Sequence, residues 1–134
     1  MRLTPAEVAA MAVGESQVGS SKLPGVRTTV LYGDPAQPGF FAILLSVPTR
    51  TTIVAHPHRD DRIATVVSGK WEFGYGRVFD ATKLKALPPG SIYSEPGGLP
   101  HFARTGDEAA IVQISGSGPT DTVYVDAAHE PTKP

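Results

Sequence analysis

Three of the four histidines in this chain stand in a pattern that favours metal binding. His56 and His58 are separated by one residue, and side chains two positions apart on an extended strand project from the same face. His101 comes much later, directly after a turn rich in proline and glycine. Imidazole is the commonest metal ligand near neutral pH. Three imidazoles from two strands predict a metal centre that keeps positions open for substrate, as catalytic metal sites do.

Other kinds of site are less consistent with the composition. The chain has no cysteine, which excludes disulfides, thiolate catalysis, iron–sulfur clusters and cysteine-ligated zinc. Twelve basic residues balance thirteen acidic ones without a basic stripe, so nucleic acid is not an expected partner. A pair of histidines alone would be a weak signal, and His101 strengthens it. His129 lies in a polar tail and is predicted to be solvated.

The elements that would position these histidines are predicted to be short strands. Of 134 residues, 14 are glycine and 13 proline, while 40% are hydrophobic, which argues against both a helical bundle and disorder. Runs rich in β-branched and aromatic residues alternate with turn residues. The predicted strands cover residues 27–32, 40–47, 51–56, 63–67, 70–75, 91–94, 101–104 and 109–114, with an edge strand at 123–125.

The N-terminus carries the one helical signal that we infer from the sequence. Thr4 is placed as the N-cap, Pro5 as the first helical residue and Glu7 as the partner in a capping box, with the helix continuing to Val13. Residues 14–25 are predicted to form a loop or lid. The longest apolar run of the chain is too short to cross a bilayer, so no membrane partner is expected and the predicted location is cytoplasmic.

Two segments resemble the two motifs of the cupin superfamily. The first motif, G-x5-HxH-x3or4-E-x6-G, is matched by both histidines and by Gly69, although its opening glycine is missing. The second, G-x5-PxG-x2-H-x3-N, is matched from Gly90 through Pro96 to His101 with every spacing kept, and a threonine stands where asparagine is common. The likeness is to small single-domain bacterial cupins.

This resemblance implies an all-β, single-domain jelly-roll β-barrel with a metal inside its mouth. The barrel would span residues 26–125, preceded by a helix or lid arm over 1–25 and followed by a polar tail over 126–134. The metal ligands would be His56, His58 and His101. The family habit of pairing barrels also implies a homodimer.

The sequence departs from the family at position 62, where Arg62 replaces the usual glutamate ligand. Because a guanidinium is permanently cationic, it does not bind a metal ion. Three outcomes remain open: a site of three histidines, a substitute carboxylate from Asp60 or Asp61, or weak or absent metal binding. Arg62 either contacts an anionic or enolisable substrate or forms a salt bridge with Asp60, Asp61 or Glu95.

Further polar side chains lie close to the motifs in sequence. Tyr93 is predicted, with Arg62, to serve catalysis as a proton carrier or anchor. Weaker candidates of the same kind are Glu72, Tyr75, Glu95 and Arg104.

Two functions follow from these residues. The first is an enzyme that uses Fe(II), Mn(II), Ni(II) or Zn(II) in dioxygenase-like, isomerase or lyase chemistry on a small oxygenated or anionic molecule. The alternative is a non-catalytic barrel that binds or senses a small molecule with little or no metal.

Overall fold

A computed structural model describes residues 1–15 and 23–121, and nearly all of its regular structure is antiparallel β-sheet. The all-β prediction is therefore confirmed. The predicted edge strand at 123–125 and the tail with His129 lie outside the described residues. In chain order the elements are α1 (Pro5–Ala9), β1 (Gly14–Glu15), β2 (Arg27–Tyr32), β3 (Gly39–Val47), β4 (Thr52–His56), β5 (Arg62–Ser68), β6 (Trp71–Tyr75), a 3₁₀ turn (Ala81–Lys83), β7 (Lys85–Leu87), β8 (Ile92–Glu95), β9 (His101–Arg104) and β10 (Ala110–Gly118).

The strands form two sheets that share one core. The larger sheet has the order β1-β2-β3-β10-β5-β8, and the smaller has the order β4-β9-β6-β7. Apolar side chains from both sheets pack into a single cluster, so the sheets face each other. The largest fully buried members of that cluster are Phe41, Ile43 and Ile114.

Strand β3 shows how the sheet is patterned. Its sequence is almost continuously apolar, yet burial alternates: Phe41, Ile43, Leu45 and Val47 are buried, whereas the residues between them are only partly covered or exposed. A continuous apolar run suits a strand buried on both faces, but here only one face is fully buried. One face lies in the core, and on the other face Leu44 and Ser46 line a groove beside the N-terminal segment.

Helix α1 begins as predicted and ends early. The Thr4 hydroxyl accepts a hydrogen bond from the Glu7 amide at 3.2 Å and donates one to the Glu7 carboxylate at 3.1 Å. The helix stops at Ala9 instead of Val13, because Gly14 and the next residue pair with β2 as strand β1. No helix in the two described ranges is long and apolar enough to cross a membrane.

Candidate metal centre

The two sequence motifs bring His56, His58 and His101 together in the folded chain. His56 ends β4 and is the register partner of His101, which begins β9. His58 lies two residues beyond the strand, where its carbonyl accepts a hydrogen bond from Gly98 in the proline–glycine turn at 2.8 Å. The ligand nitrogens of the three histidines all lie within 4.8 Å of one another, and all three residues are buried. Convergence from two strands is the arrangement that the spacing predicted.

A bulge in β4 changes which of its neighbours share the cavity. Strict alternation would place Thr52 and Val54 on the face of His56. The register with β9 shifts between Ile53 and His56, and it is Ile53 that lines the cavity while Thr52 is exposed. One inserted residue reverses the alternation, which sequence parity alone does not reveal.

Backbone carbonyls orient two of the imidazoles. Nδ1 of His56 lies 2.8 Å from the carbonyl oxygen of Val54, and Nδ1 of His58 contacts the carbonyl oxygen of Asp121. When Nδ1–H donates in this way, Nε2 carries the lone pair. The ring of His101 stacks on Phe73 with 5.3 Å between centroids. These contacts orient rings in the manner common among metal-binding histidines.

Burial keeps the three imidazoles neutral. Loss of solvation, followed by the charge of His101, lowers the pKa of His56 to about 3. Loss of solvation and the Arg62 guanidinium lower the pKa of His101 to about 3 and the pKa of His58 well below its usual value. Neutral imidazole is the form that binds metal. The donor set therefore fits a divalent ion.

Position 62 points into the barrel, as the family motif implies, but its charge is already paired. The Arg62 Nε donates to Oε1 of Glu95 at 2.7 Å, and its Nη2 lies 2.7 Å from the same oxygen. Both side chains are at most 5% exposed. Of the alternatives left open, the salt bridge to Glu95 is the one that the structure contains. Because the Glu95 carboxylate lies against the guanidinium, Arg62 adds no unbalanced positive charge to the pocket.

The two aspartates proposed as substitute ligands have other partners. Asp60 accepts a hydrogen bond from the Thr120 hydroxyl at 2.6 Å, and Asp61 accepts one from the Gly97 amide at 2.7 Å. Both contacts fasten the segment after the histidine pair to neighbouring loops. Neither aspartate joins the histidine cluster.

The remaining sequence candidates divide between the cavity and the surface. Tyr93 is buried and lines the cavity, and loss of solvation followed by the Glu95 charge raises its pKa well above 10. Glu72 instead pairs with Arg104 on the neighbouring strand, and the Tyr75 hydroxyl donates to the carbonyl oxygen of Ser94 at 2.6 Å. These three do not line the cavity.

The cavity around the histidines is small. Its volume is about 20 Å³, close to the space that a single ordered water occupies. Its walls combine the polar cluster with large apolar side chains, among them Leu45, Ile53, Trp71, Phe73 and Ile114. An ion with one water fits this space, whereas a larger substrate requires side chains at the wall to move.

Comparison with protein families and with curated proteins finds no match to this sequence. Solved structures do match. The polyketide cyclase RemF from Streptomyces resistomycificus is 16% identical, with 97% of this chain and 90% of that one covered at a TM-score of 0.73. An RmlC-like cupin from Shewanella frigidimarina NCIMB 400 is 16% identical, with 81% of this chain and 85% of that one covered at a TM-score of 0.62. The DMSP lyase DddQ from Ruegeria pomeroyi DSS-3 is 20% identical, with 94% of this chain and 64% of that one covered at a TM-score of 0.68.

At these identities the likeness concerns the fold. Together with the motifs and the two facing sheets, it confirms the expected resemblance: the chain has the cupin fold. The chemistry of the site rests on its own residues.

Proposed function

We propose that this cupin-fold chain binds one divalent metal ion through His56, His58 and His101 and acts with it as an enzyme on a small oxygenated molecule. The observation that carries the proposal is the convergence of three buried, neutral imidazoles on one point. Fe(II), Mn(II), Ni(II) and Zn(II) all accept imidazole ligands, and the residues alone do not choose among them. A bound ion supplies Lewis acidity toward a substrate oxygen or a site for dioxygen.

The chain's own residues would orient the histidine rings and exclude bulk water from the site. Val54 and Asp121 fix the rings of two histidines through their carbonyl oxygens. The apolar wall excludes bulk water, which strengthens every charge interaction inside. Tyr93 presents a phenol that stays protonated at neutral pH, so it is placed to donate a hydrogen bond or a proton to a bound substrate. In place of the catalytic role predicted from the sequence, we assign Arg62 a positioning role, because its charge is paired with Glu95.

The neighbouring structures named as a cyclase and a lyase support enzymatic chemistry on small molecules for this fold. Dioxygenase-like, isomerase and lyase reactions all use such a site. Oxygen consumption separates the first from the others: Fe(II)-loaded protein would be tested against small enols, catechols and 2-oxo acids, with metal-free protein as the control. Metal-dependent turnover without oxygen uptake would favour isomerase or lyase chemistry. No metal-dependent turnover of any compound would favour the non-catalytic alternative.

Metal binding itself is tested by removing single ligands. We expect protein purified without a histidine tag to take up zinc stoichiometrically, and His56→Ala or His101→Ala to abolish that uptake, because each removes a converging nitrogen. His129→Ala is the matched control, since this histidine belongs to neither motif. Elemental analysis after dialysis measures the result. Equal zinc retention in all three variants would refute the site.

We further propose that two copies of the chain pair through the larger sheet. Between α1 and the outer face of that sheet lies a groove of about 540 Å³, which we call the outer groove. Its apolar lining comes from both sides: Leu3, Val8 and Val13 from the N-terminal segment, and Leu31, Leu44, Val67 and Ile111 from the sheet. Apolar surfaces of this kind mark protein contacts. A cytoplasmic location stays a prediction from the sequence.

A further inference from the structure

We infer that Glu95 supplies a fourth ligand to the metal ion, in place of the acid missing at position 62, and that Arg62 positions its carboxylate. The inference rests on the proposed function above, because it concerns the same ion. It is carried by four observations: the strand register, the burial of both charges, the distance from the carboxylate to His101, and the way Arg62 holds one carboxylate oxygen.

The register places Glu95 where a substitute acid is needed. Strands β5 and β8 are antiparallel neighbours, and Arg62 is the direct partner of Glu95. Side chains directly opposite each other in such a pair share a face, with Cβ atoms about 4.5–5.5 Å apart. Glu95 therefore enters the barrel at the same depth and on the same face as position 62, one strand further along the sheet.

One distance from the Glu95 carboxylate, the distance to His101, is that of two atoms that could share an ion. Oε2 of Glu95 lies 3.3 Å from Nε2 of His101, and Oε1 lies 4.0 Å from Nε2 of His58. Ligand atoms bound at about 2.1 Å to one ion lie about 3.0–3.4 Å apart in tetrahedral or octahedral sites. Nε2 of His101 is buried and makes no hydrogen bond within the described part of the chain. The approach of Glu95 to His101 is thus not explained by a hydrogen bond between them. Glu95 is not among the residues whose ligand atoms all lie within 4.8 Å of one another, so its carboxylate must shift to join all three histidines on one ion.

Arg62 holds the carboxylate by one oxygen. Its Nε and Nη2 both lie 2.7 Å from Oε1 of Glu95. The guanidinium is itself fixed, since Nη1 lies 3.5 Å from the hydroxyl of Thr120, which donates to Asp60. With Oε1 held from the β5 side, Oε2 is turned toward His101.

A rival interpretation treats Arg62 and Glu95 as a buried ion pair with no part in metal binding. The chain contains a matched pair for comparison. Glu72 and Arg104 are also register partners on antiparallel strands and also form an ion pair, but they lie in the smaller sheet and do not line the cavity around the histidines. Replacing the glutamate of one pair at a time therefore distinguishes a role in metal binding from a role in ion pairing alone.

The experiment measures zinc affinity by competition with a chromophoric chelator. We expect Glu95→Gln to weaken zinc binding by about tenfold or more, since even residues that only support a ligand contribute 10–100-fold. Glu72→Gln should bind zinc like the wild type. Because Glu95→Gln removes the negative charge beside the buried Arg62 guanidinium, the double variant Arg62→Met/Glu95→Gln is measured beside it. The double variant removes both charges, and its zinc affinity should stay below that of the wild type.

The outcomes separate the two proposals. If Glu95→Gln folds and binds zinc with wild-type affinity while His101→Ala does not bind, the fourth ligand is overturned and the three-histidine site stands. If Glu95→Gln fails to fold, the double variant decides: wild-type affinity overturns the inference, and weakened affinity supports it. If the wild type binds no zinc, the proposed function fails and the inference fails with it.

Discussion

Arg62 and Glu95 put two opposite charges inside an apolar barrel, each at most 5% exposed. Moving charges out of water costs several kcal/mol per ion, and their mutual attraction offsets this only while both are present. At the residue scale the pair is therefore a point where one substitution has a large effect. The effect of such a substitution on the stability of the metal-free protein can be separated from its effect on metal binding.

We expect Arg62→Met to destabilise the metal-free protein by about 3–5 kcal/mol, because it leaves the Glu95 carboxylate buried without a cation. Zinc should restore part of that stability, since the ion's charge takes the place of the guanidinium. Chemical denaturation with and without zinc measures both effects. The control is Arg104→Met, whose side chain is 41% exposed and whose loss should cost less than about 1 kcal/mol. Equal losses in the two variants would contradict this prediction.

The three candidate histidine ligands could be predicted from sequence, and the proposed acidic ligand could not. His56, His58 and His101 are fixed by local spacing and by a turn motif, which are both readable along the chain. The role of Glu95 depends on which residue of β8 lies opposite Arg62, and that register forms only in the sheet. The sequence named Glu95 as a salt-bridge partner and as a polar candidate without ranking it above the others.

At the scale of elements, tight turns hold the strands that carry the site. Gly69 lies between β5 and β6 with a φ of +78°, and a Cβ there would lie 1.8 Å from the carbonyl oxygen of Ala109. The backbone of the loop that leads into β10 therefore passes directly over this glycine. Strand boundaries were less predictable: β1 and β7 were not expected, and β10 extends to Gly118 because it pairs with the full length of β3.

We expect Gly69→Ala to destabilise the protein more than Gly98→Ala does. Both glycines have a φ of +78°, so both variants bear the left-handed backbone penalty of about 1–2 kcal/mol. Only at Gly69 does the new methyl group collide with backbone, and such overpacking adds about 1–3 kcal/mol. Urea unfolding of the two variants gives the difference directly. If the two variants are equally stable, the close approach to Ala109 does not constrain this turn.

At the scale of the molecule, the two faces of the larger sheet differ in the size of the space beside them. The inner face lines a cavity of about 20 Å³, close to the space of one ordered water. The outer face presents the outer groove, whose volume is many times larger and whose lining is mostly apolar. Nothing inside the described chain fills it. A formal net charge of −1 gives little repulsion against a second copy.

We therefore expect a homodimer in solution and expect Val67→Glu to dissociate it. Val67 lines the outer groove and is 50% exposed, so a glutamate fits the free chain but would bury an unpaired charge between two copies. Val78→Glu is the control, because Val78 is 75% exposed in the loop after β6 and lies outside the groove. Light scattering after size-exclusion chromatography measures the mass. A monomeric wild type, or loss of the dimer in both variants, would show that the outer groove does not join two chains.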